Sequence, residues 1–452
     1  MRGAPPDYQR AIDYLYRFVG HTGHTRWAGY EGAPRRVRAF LHDLGDPDAS
    51  FQSVVVAGTK GKGSTAAMLE AIFRASGYRV GLYTSPHLHS FRERIQVQRR
   101  LITQAEFVAL VDELRPAIET WIRSHDRDDW PTTFELATVM AMVHFARQGV
   151  DAAVLEVGRG GRFDAVNAVL HNLAVMTSIS MDHANVLGGT LTAIAREKSG
   201  VIPTGGTFVL GPQRPEVVEV LEEACREQGA VWWFAGERGL EVRDFSSDPS
   251  ACCGAVRAVP YPVDPTSVRL SLAGGFQQGN LRLALGTAAA LRAAGWQLPE
   301  HSIVEGLERV RWPGRFEVVH PRPLTLVDGA HNAESARRLR EAMNAAYPGR
   351  PVVWVVGFSS GKDMVGVLAA LYGGGDALIL TRSHHPRAVP TSVAADAARL
   401  AGFAPTLEAP TVPAAWEAAA GMAQGQAVVC FTGSLFVVAE AREQFGLAEE
   451  VD

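Results

Sequence analysis

The chain has 452 residues, with 44 lysines and arginines against 48 aspartates and glutamates, and a formal net charge of −4. This near balance argues against broad electrostatic capture of nucleic acid or of an anionic membrane. Hydrophobic residues make up 47% and charged residues 20%, which excludes a disordered chain, and the length suits two or three domains.

Cysteine usage and hydropathy predict a cytoplasmic protein. The cysteines, Cys225, Cys252, Cys253 and Cys430, form no C-x-x-C pair, so neither a disulfide framework nor a thiolate zinc site is expected. The first residues lack the apolar core of a signal peptide, and no apolar run approaches the roughly 18 residues that a membrane span needs. We therefore expect no membrane partner and no nucleic-acid partner.

Short β-branched runs alternate with longer helical patterns through the first half of the chain. The pattern predicts strands over 51–57, 79–84, 151–157 and 173–178, and helices over 62–76, 103–123, 134–147 and 190–199. Such an alternation is typical of a mostly parallel sheet covered by helices on both faces.

The alternation weakens over 239–275, where a small insertion of short antiparallel strands is expected. A helix over 280–294 follows, and the Pro313-Gly314 pair then interrupts regular structure. Strands are predicted again over 324–328, 352–357, 377–381 and 427–432. The sequence therefore predicts an α/β fold of two domains: a P-loop domain with a mostly parallel sheet over 1–311, and a smaller Rossmann-like domain over 312–452.

A glycine-rich turn between a predicted strand and a predicted helix carries the strongest local signal. Glycines 58, 61 and 63 would let backbone N–H groups converge on phosphate oxygens, and the helix N-terminus adds its positive dipole end. Lys62 is placed to meet the β- and γ-phosphates, and Ser64 or Thr65 to face a metal. The spacing differs from the common G-x-x-x-x-G-K-[ST], since Gly63 follows the lysine.

Candidate metal ligands follow three predicted strands. Glu156 lies near the end of a strand that should be central, where an unpaired carboxylate would be costly; this favours a metal ligand, and pairing with a nearby arginine is the alternative. Ser85 offers a neutral oxygen, and the Asp182-His183 pair is weak evidence by itself. Spacing alone favours a solvated Lys198 near a helix C-terminus.

The second half offers a strand-end carboxylate and a nearby histidine. Asp328 and His331 could hold a ribose, orient a substrate amine or cap the next helix. Arg315, in the segment between the predicted domains, could reach a phosphate.

Taken together, these residues resemble the folylpolyglutamate synthase and dihydrofolate synthase family, within the Mur-type ligases. The motifs occur in family order between about residues 12 and 443: Gly58-Thr-Lys-Gly-Lys-Gly-Ser64, Thr84-Ser-Pro-His-Leu88, Glu93-Arg-Ile95, Thr133-Phe-Glu135, Leu155-Glu-Val-Gly-Arg-Gly-Gly-Arg162 through Asp164 and Asn167, Asp182-His183, Glu197-Lys-Ser-Gly200, Pro313-Gly-Arg315, Asp328-Gly-Ala-His-Asn332 and Gly433-Ser-Leu435.

The resemblance implies an ATP-dependent amide ligase that is a monomer and joins L-glutamate to dihydropteroate or a reduced folate. Carried over by position, it implies ATP contacts from Gly58, Thr59, Gly61, Lys62, Gly63, Ser64, Thr65, Asn280 and Arg315, with Asp328 at the ribose and His331 near the reacting phosphate. It implies Mg²⁺ ligands at Ser85, Glu156 and His183. It also implies a carboxylated Lys198 that helps to bind a second metal, and it leaves a potassium requirement open.

A carboxylate is a poor acyl donor, so such a ligase would first form an acyl phosphate and release ADP. The amine of glutamate would then attack and expel phosphate, which needs no serine or cysteine nucleophile. Two alternatives stay open: another Mur-type amide ligase acting on a cell-wall or storage-peptide precursor, and a non-catalytic ATP-binding protein.

Overall fold

The computed structural model describes residues 6–19, 28–181, 189–245, 256–448 and 451–452. The helices are α1 Pro6–Tyr16, α2 Ala28–Glu31, α3 Ala33–Asp43, α4 Lys62–Ala75, α5 Gln104–Ser124, α6 Thr133–Arg147, α7 Leu191–Lys198, α8 Pro215–Gln228, α9 Gln277–Ala293, α10 Glu300–Arg309, α11 Ala333–Ala346, α12 Met364–Leu371, α13 Thr391–Leu400, α14 Val412–Ala423 and α15 Leu435–Gln444. The strands are β1 Gln52–Ala57, β2 Val80–Tyr83, β3 Ile95–Val97, β4 Arg100–Leu101, β5 Ala152–Glu156, β6 Leu173–Met176, β7 Thr207–Leu210, β8 Val231–Ala235, β9 Leu240–Asp244, β10 Arg257–Val259, β11 Glu317–Pro321, β12 Leu324–Val327, β13 Val352–Val356, β14 Ala377–Leu380, β15 Leu407–Glu408 and β16 Val428–Thr432.

The strands of the first half form one large sheet in the order β10-β9-β8-β7-β6-β1-β5-β2-β3-β4. The six central strands, in the order β8-β7-β6-β1-β5-β2, pair in parallel with their neighbours. Strands β9 and β10 at one edge and β3 and β4 at the other edge are antiparallel. The predicted mostly parallel sheet is therefore confirmed.

Side chains of β1 alternate between two apolar layers, as expected for a strand covered on both faces. Val54 and Val56 pack into a cluster that α4, α9 and α10 share, whereas Val55 and Ala57 pack into a cluster that includes α1, α3, α5, α6 and α8. Helix α10 approaches α4 so closely that a Cβ on Gly306 would lie 2.6 Å from the carbonyl oxygen of Ala71.

The antiparallel strands expected over 239–275 are present as β9 and β10, and residues 246–255 lie outside the described part of the chain. These strands do not form a separate unit. Strand β9 pairs with β8, so the segment extends the large sheet, which satisfies backbone groups that an open edge would leave unpaired.

The second half forms a smaller sheet in the order β11-β12-β16-β13-β14-β15, parallel except for the β11–β12 hairpin. Helices α11, α12 and α13 cover one face, and α14 and α15 cover the other. The predicted strands 324–328, 352–357, 377–381 and 427–432 correspond to β12, β13, β14 and β16. None of the helices in the described ranges has both the length and the apolar character that crossing a membrane requires.

Candidate active site

The glycine-rich turn joins the end of β1 to the start of α4, and two of its glycines have positive φ angles. Gly58 has φ +138°, and a Cβ there would lie 1.8 Å from Thr177 Oγ1, so only glycine fits. Gly61 has φ +89° and would bring a Cβ within 2.3 Å of Asn280 Oδ1. The turn thus has the backbone shape that points N–H groups into a concave surface suited to phosphate.

Thr59 connects this turn to the segment after β6 through hydrogen bonds. Its backbone N–H donates to the Ser178 carbonyl at 2.8 Å, and its Oγ1 accepts the Ser180 N–H at 3.2 Å. These bonds hold the turn at the carboxyl end of the sheet.

The first turn of α4 separates the two candidate hydroxyl groups. Ser64 lines the adjoining cavity, and its Oγ accepts from Gln277 Nε2 at 3.4 Å. Thr65 is fully buried and is not among the cavity-lining residues. Of the two hydroxyls, Ser64 is therefore the one placed to meet a ligand, while Thr65 packs behind the turn. Lys62 begins the helix and lines the cavity.

Strand β5 ends at Glu156, which is 5% exposed and lines the same cavity. Its Oε2 accepts the backbone N–H of Ser85 at 3.0 Å, which brings the segment after β2 to this strand end. Burial raises the pKa of Glu156, and the charges of Lys62, Arg315 and Arg94 together with the Ser85 N–H oppose that rise. A carboxylate so placed is a strong candidate for a cation ligand.

Lys198, at the end of α7, is only 4% exposed. Its Nζ donates to the Gly58 carbonyl at 2.8 Å and to the Gly160 carbonyl at 3.3 Å. The solvated lysine that spacing alone favoured is therefore wrong, because the loop after β5 folds over the end of α7. The lysine cross-links that loop to the glycine-rich turn.

His183 and its neighbour Asp182 lie outside the described residues. The metal-binding role implied for His183 therefore stays a prediction. The motif residue Glu135 does not face the cavity: it is buried and bound to Arg36 by two bonds, of 2.7 and 2.9 Å, which gives it a role in packing α6 against α3.

The small sheet supplies the opposite wall. Asp328, 6% exposed at the end of β12, accepts the Phe316 N–H and the Ala330 N–H, both at 2.9 Å. Burial raises its pKa, and the Arg315 charge opposes that rise most strongly. Asp328 thereby ties the segment between the sheets to the turn after β12.

His331 and Asn280 complete the two walls. His331 Nδ1 lies 2.9 Å from the Gly329 carbonyl, and because a carbonyl oxygen only accepts, Nδ1 is the donor. Asn280, on α9, donates from Nδ2 to Gln277 Oε1 at 2.8 Å.

A cavity of about 390 Å³ lies between the two walls. Predicted site residues that line it are Gly58, Thr59, Gly61, Lys62, Gly63, Ser64, Ser85, Glu156, Lys198, Asn280, Arg315, Asp328 and His331. It also contains Arg94, Phe276 and Arg338, which had not been singled out. Arg94 belongs to the Glu93-Arg-Ile95 motif, so that motif could have signalled it. Arg338 and Phe276 had no such signal, since their approach depends on how α11 and α9 pack.

The donor groups suit magnesium bound together with a nucleotide. No group of three or more His, Cys, Asp or Glu side chains that could hold a metal occurs among the described residues. Mg²⁺, however, usually keeps several waters and takes one or two carboxylates plus substrate phosphates. The hard oxygens of Glu156, Ser85 and Ser64 fit that requirement.

Known protein families match most of the chain. Residues 56–288 match the Mur ligase middle domain, and residues 314–435 match the Mur ligase glutamate ligase domain.

Individual relatives extend the match to nearly the whole length. The chain is 30% identical over 421 residues to the dihydrofolate synthase/folylpolyglutamate synthase of Bacillus subtilis, covering 90% of this chain and 94% of that protein. It is 33% identical over 445 residues to a probable bifunctional folylpolyglutamate synthase/dihydropteroate synthase of Haloferax volcanii, covering 96% of this chain but spanning only 50% of that longer protein. The solved structure of a bifunctional folylpolyglutamate synthase/dihydrofolate synthase from Yersinia pestis, complexed with AMPPNP and a Mn ion, is 29% identical with a TM-score of 0.77, covering 98% of this chain and 100% of that one.

Proposed function

Because the chain belongs to the folylpolyglutamate synthase/dihydrofolate synthase family of Mur-type ligases, we propose that it is an ATP-dependent ligase that adds L-glutamate to dihydropteroate, to reduced folate, or to both. One observation carries the proposal: a single cavity has the glycine-rich turn and Glu156 on one wall and Arg315, Asp328 and His331 on the other. A site assembled from both halves can hold a triphosphate while a carboxylate is brought to its terminal phosphorus.

In this proposal, the turn from Gly58 to Ser64 holds the ATP phosphates. Lys62 and Arg315 approach from opposite walls and offset the charge that develops as the γ-phosphoryl group moves to the acceptor carboxylate. Asn280 contacts the nucleotide and Asp328 orients the ribose. The step yields an acyl phosphate and ADP.

Glu156, Ser85 and His183 are proposed as the Mg²⁺ ligands. When bound there, Mg²⁺ would neutralise charge on the β- and γ-phosphate oxygens. Lys198 already joins the turn to the loop after β5, and its carboxylation would add an oxygen ligand for a second metal.

The second step needs the amine of glutamate as the free base. His331 lines the cavity, its Nδ1 donates to the Gly329 carbonyl, and this bond fixes the ring beside the position proposed for the reacting groups, where it can orient the amine. Attack of the amine on the acyl phosphate forms the amide bond and releases phosphate. Enclosure between the walls protects the acyl phosphate from water.

The two-domain division near residue 312, a monomeric state and a cytoplasmic location belong to the same proposal. The division is supported because strands of the large sheet end at Val259, whereas those of the small sheet begin at Glu317.

The test is phosphate release by the purified chain with Mg-ATP and L-glutamate in three arms: dihydropteroate, tetrahydrofolate and no acceptor. We expect phosphate and ADP, without AMP, only when an acceptor is present. Turnover of nucleotide-sugar peptides without pterin turnover would favour another Mur-type ligase, and ATP binding without ADP release across all acceptors would favour a non-catalytic protein.

Lys62→Ala provides the variant for this assay. Removing the lysine should lower kcat by about 10³-fold or more, because the group acts on the transferring phosphoryl. The comparison variant is Lys60→Ala, two residues earlier on the same turn and also lining the cavity. It removes the same charge but not the group assigned to the β- and γ-phosphates, and it should lose less activity. Equal activity of Lys62→Ala and the unmodified chain would remove Lys62 from the proposed machinery.

A further inference from the structure

A second cavity, of about 190 Å³, adjoins the first. The two cavities share Pro86, Arg315 and Leu435. The second one extends from the side of Thr84 and Pro86, the residues that flank Ser85, whereas Phe276 and Asn280 line only the first. It therefore opens on the end of the site where the terminal phosphate is proposed, away from the nucleoside end.

The charges around this side cavity favour an anion. Arg99, Arg315 and Arg442 line it, against the single carboxylate of Glu93. That carboxylate is already used: it accepts the backbone N–H groups of Leu88, His89 and Ser90 at 2.7, 2.8 and 3.0 Å. The cavity thus presents guanidinium groups to a ligand and little competing negative charge.

Two of the arginines have fixed positions. Arg442 lies between His89 Nε2, at 2.6 Å, and Glu317 Oε2, at 3.0 Å, which secures α15 against the segment after β2. Arg99, in the turn between β3 and β4, donates to the Arg311 carbonyl at 3.0 Å. Its Nε is 4.0 Å from Glu70, whose carboxylate is held more closely by Arg74, at 2.8 Å.

Apolar side chains form much of the remaining lining, namely Leu88, Leu101, Trp312, Pro313 and Leu447, and the uncharged or weakly basic polar residues Thr84, His89 and Gln96 complete it. A pocket with apolar walls and a few guanidinium groups suits a short aliphatic chain that carries a carboxylate. At about 190 Å³ it is small beside the roughly 300–1,000 Å³ of typical ligand pockets, so it suits one part of an acceptor rather than the whole molecule.

We propose that this side cavity receives the α-carboxylate of the terminal glutamyl residue of a folate acceptor, with Arg99 as the specificity-determining contact. The inference rests on the proposed function. Dihydropteroate ends in the reacting carboxylate and has no such group, so the cavity would serve reduced folates and not dihydropteroate. Free L-glutamate has the same chemistry, and the experiment separates the two sources.

The experiment measures kcat/KM for tetrahydrofolate and for dihydropteroate, and KM for L-glutamate with each acceptor. Arg99→Gln should lower kcat/KM for tetrahydrofolate about tenfold, as expected for losing a hydrogen bond to a charged group, and change that for dihydropteroate less than twofold. Arg99→Lys should recover part of the loss. Arg100→Gln is the matched control, since Arg100 is the exposed neighbour in the same hairpin and should leave both acceptors unchanged.

Three outcomes would overturn the inference: a raised KM for L-glutamate with both acceptors, an equal loss on both acceptors, or no change on either. Unmodified chain that uses dihydropteroate but not tetrahydrofolate would also overturn it while leaving the proposed ligase intact. Turnover of neither acceptor would contradict the proposed function itself, and the inference would fall with it.

Discussion

The end of β5 in the large sheet and the end of β12 in the small sheet present the same chemistry in different settings. Each places a buried carboxylate, Glu156 or Asp328, in the wall of the larger cavity between the two sheets, and burial raises the pKa of both carboxylates. Asp328 uses both oxygens to accept backbone N–H groups, whereas Glu156 accepts one from Ser85 and otherwise faces cationic side chains. Equal burial therefore does not mean equal roles: Asp328 holds two backbone segments together beside the proposed ribose position, whereas Glu156 is placed to bind a cation.

Among changes that test this comparison, Glu156→Gln should have the largest effect. Loss of the charge should lower kcat by 10²- to 10³-fold and shift the Mg²⁺ dependence to higher concentration, because the amide is a poor ligand for a hard cation. Initial rates over a Mg²⁺ titration measure both. Asp151→Asn, at the exposed opposite end of β5, is the matched control. An unchanged Mg²⁺ dependence in Glu156→Gln would contradict its assignment as a ligand.

Asp164 is a third buried carboxylate, and its effect on stability can be measured through pH. It lies in the loop after β5, yet like Asp328 it accepts two backbone N–H groups, from Arg159 and Val166. Burial raises its pKa from 3.8 to about 6.

Because the folded state holds this proton more tightly than the unfolded state, the stabilisation is full below pH 3.8 and is lost as the pH rises through about 6. About two pKa units correspond to roughly 3 kcal/mol, so urea unfolding of the ligand-free protein should lose up to that much between pH 4 and pH 7 through this group. Asp164→Asn should flatten that part of the curve. Parallel pH profiles for the two proteins would show that Asp164 is not the group responsible.

Asp328→Asn should act mainly on structure. An amide cannot accept N–H groups with both of its polar atoms, so one of the Phe316 and Ala330 bonds is lost, at a cost of about 1–3 kcal/mol in the free energy of unfolding. We expect a higher KM for ATP with an unshifted Mg²⁺ dependence. Denaturant unfolding and ATP kinetics measure the two effects. If the Mg²⁺ dependence of Asp328→Asn shifts as far as that of Glu156→Gln, the proposed difference between the two strand ends is wrong.

The smallest expected effect comes from Gly63→Ala, which tests the contact between the turn and the segment joining the sheets. A Cβ there would lie 2.6 Å from Trp312 Cζ2, so the indole must move and kcat/KM for ATP should fall several-fold. Gly279→Ala in α9 is the control, since nothing described lies within 4 Å of its Cβ position, and it should stabilise the helix by up to about 1 kcal/mol. If both variants keep full activity, the Trp312 contact has no part in positioning the turn.

The secondary structure was largely readable from the sequence. Strands β1 and β13 are short runs rich in valine, β5 is a short, fully buried and mostly apolar run, and each predicted boundary lies within two residues of the observed one. The sequence missed that β9 and β10 join the large sheet, because edge pairing depends on which strand lies beside them and local composition does not encode that.

The candidate site divides in the same way. The amino-acid sequence by itself determined the glycine-rich turn and the strand-end carboxylates, since these depend on local backbone geometry and residue type. Only the tertiary structure decided that Lys198 is buried against two carbonyls, that Ser64 rather than Thr65 faces the cavity, and that Arg99 borders a second one. Those outcomes depend on the packing of segments far apart in the chain, where burial and charge come from neighbours that no local pattern specifies.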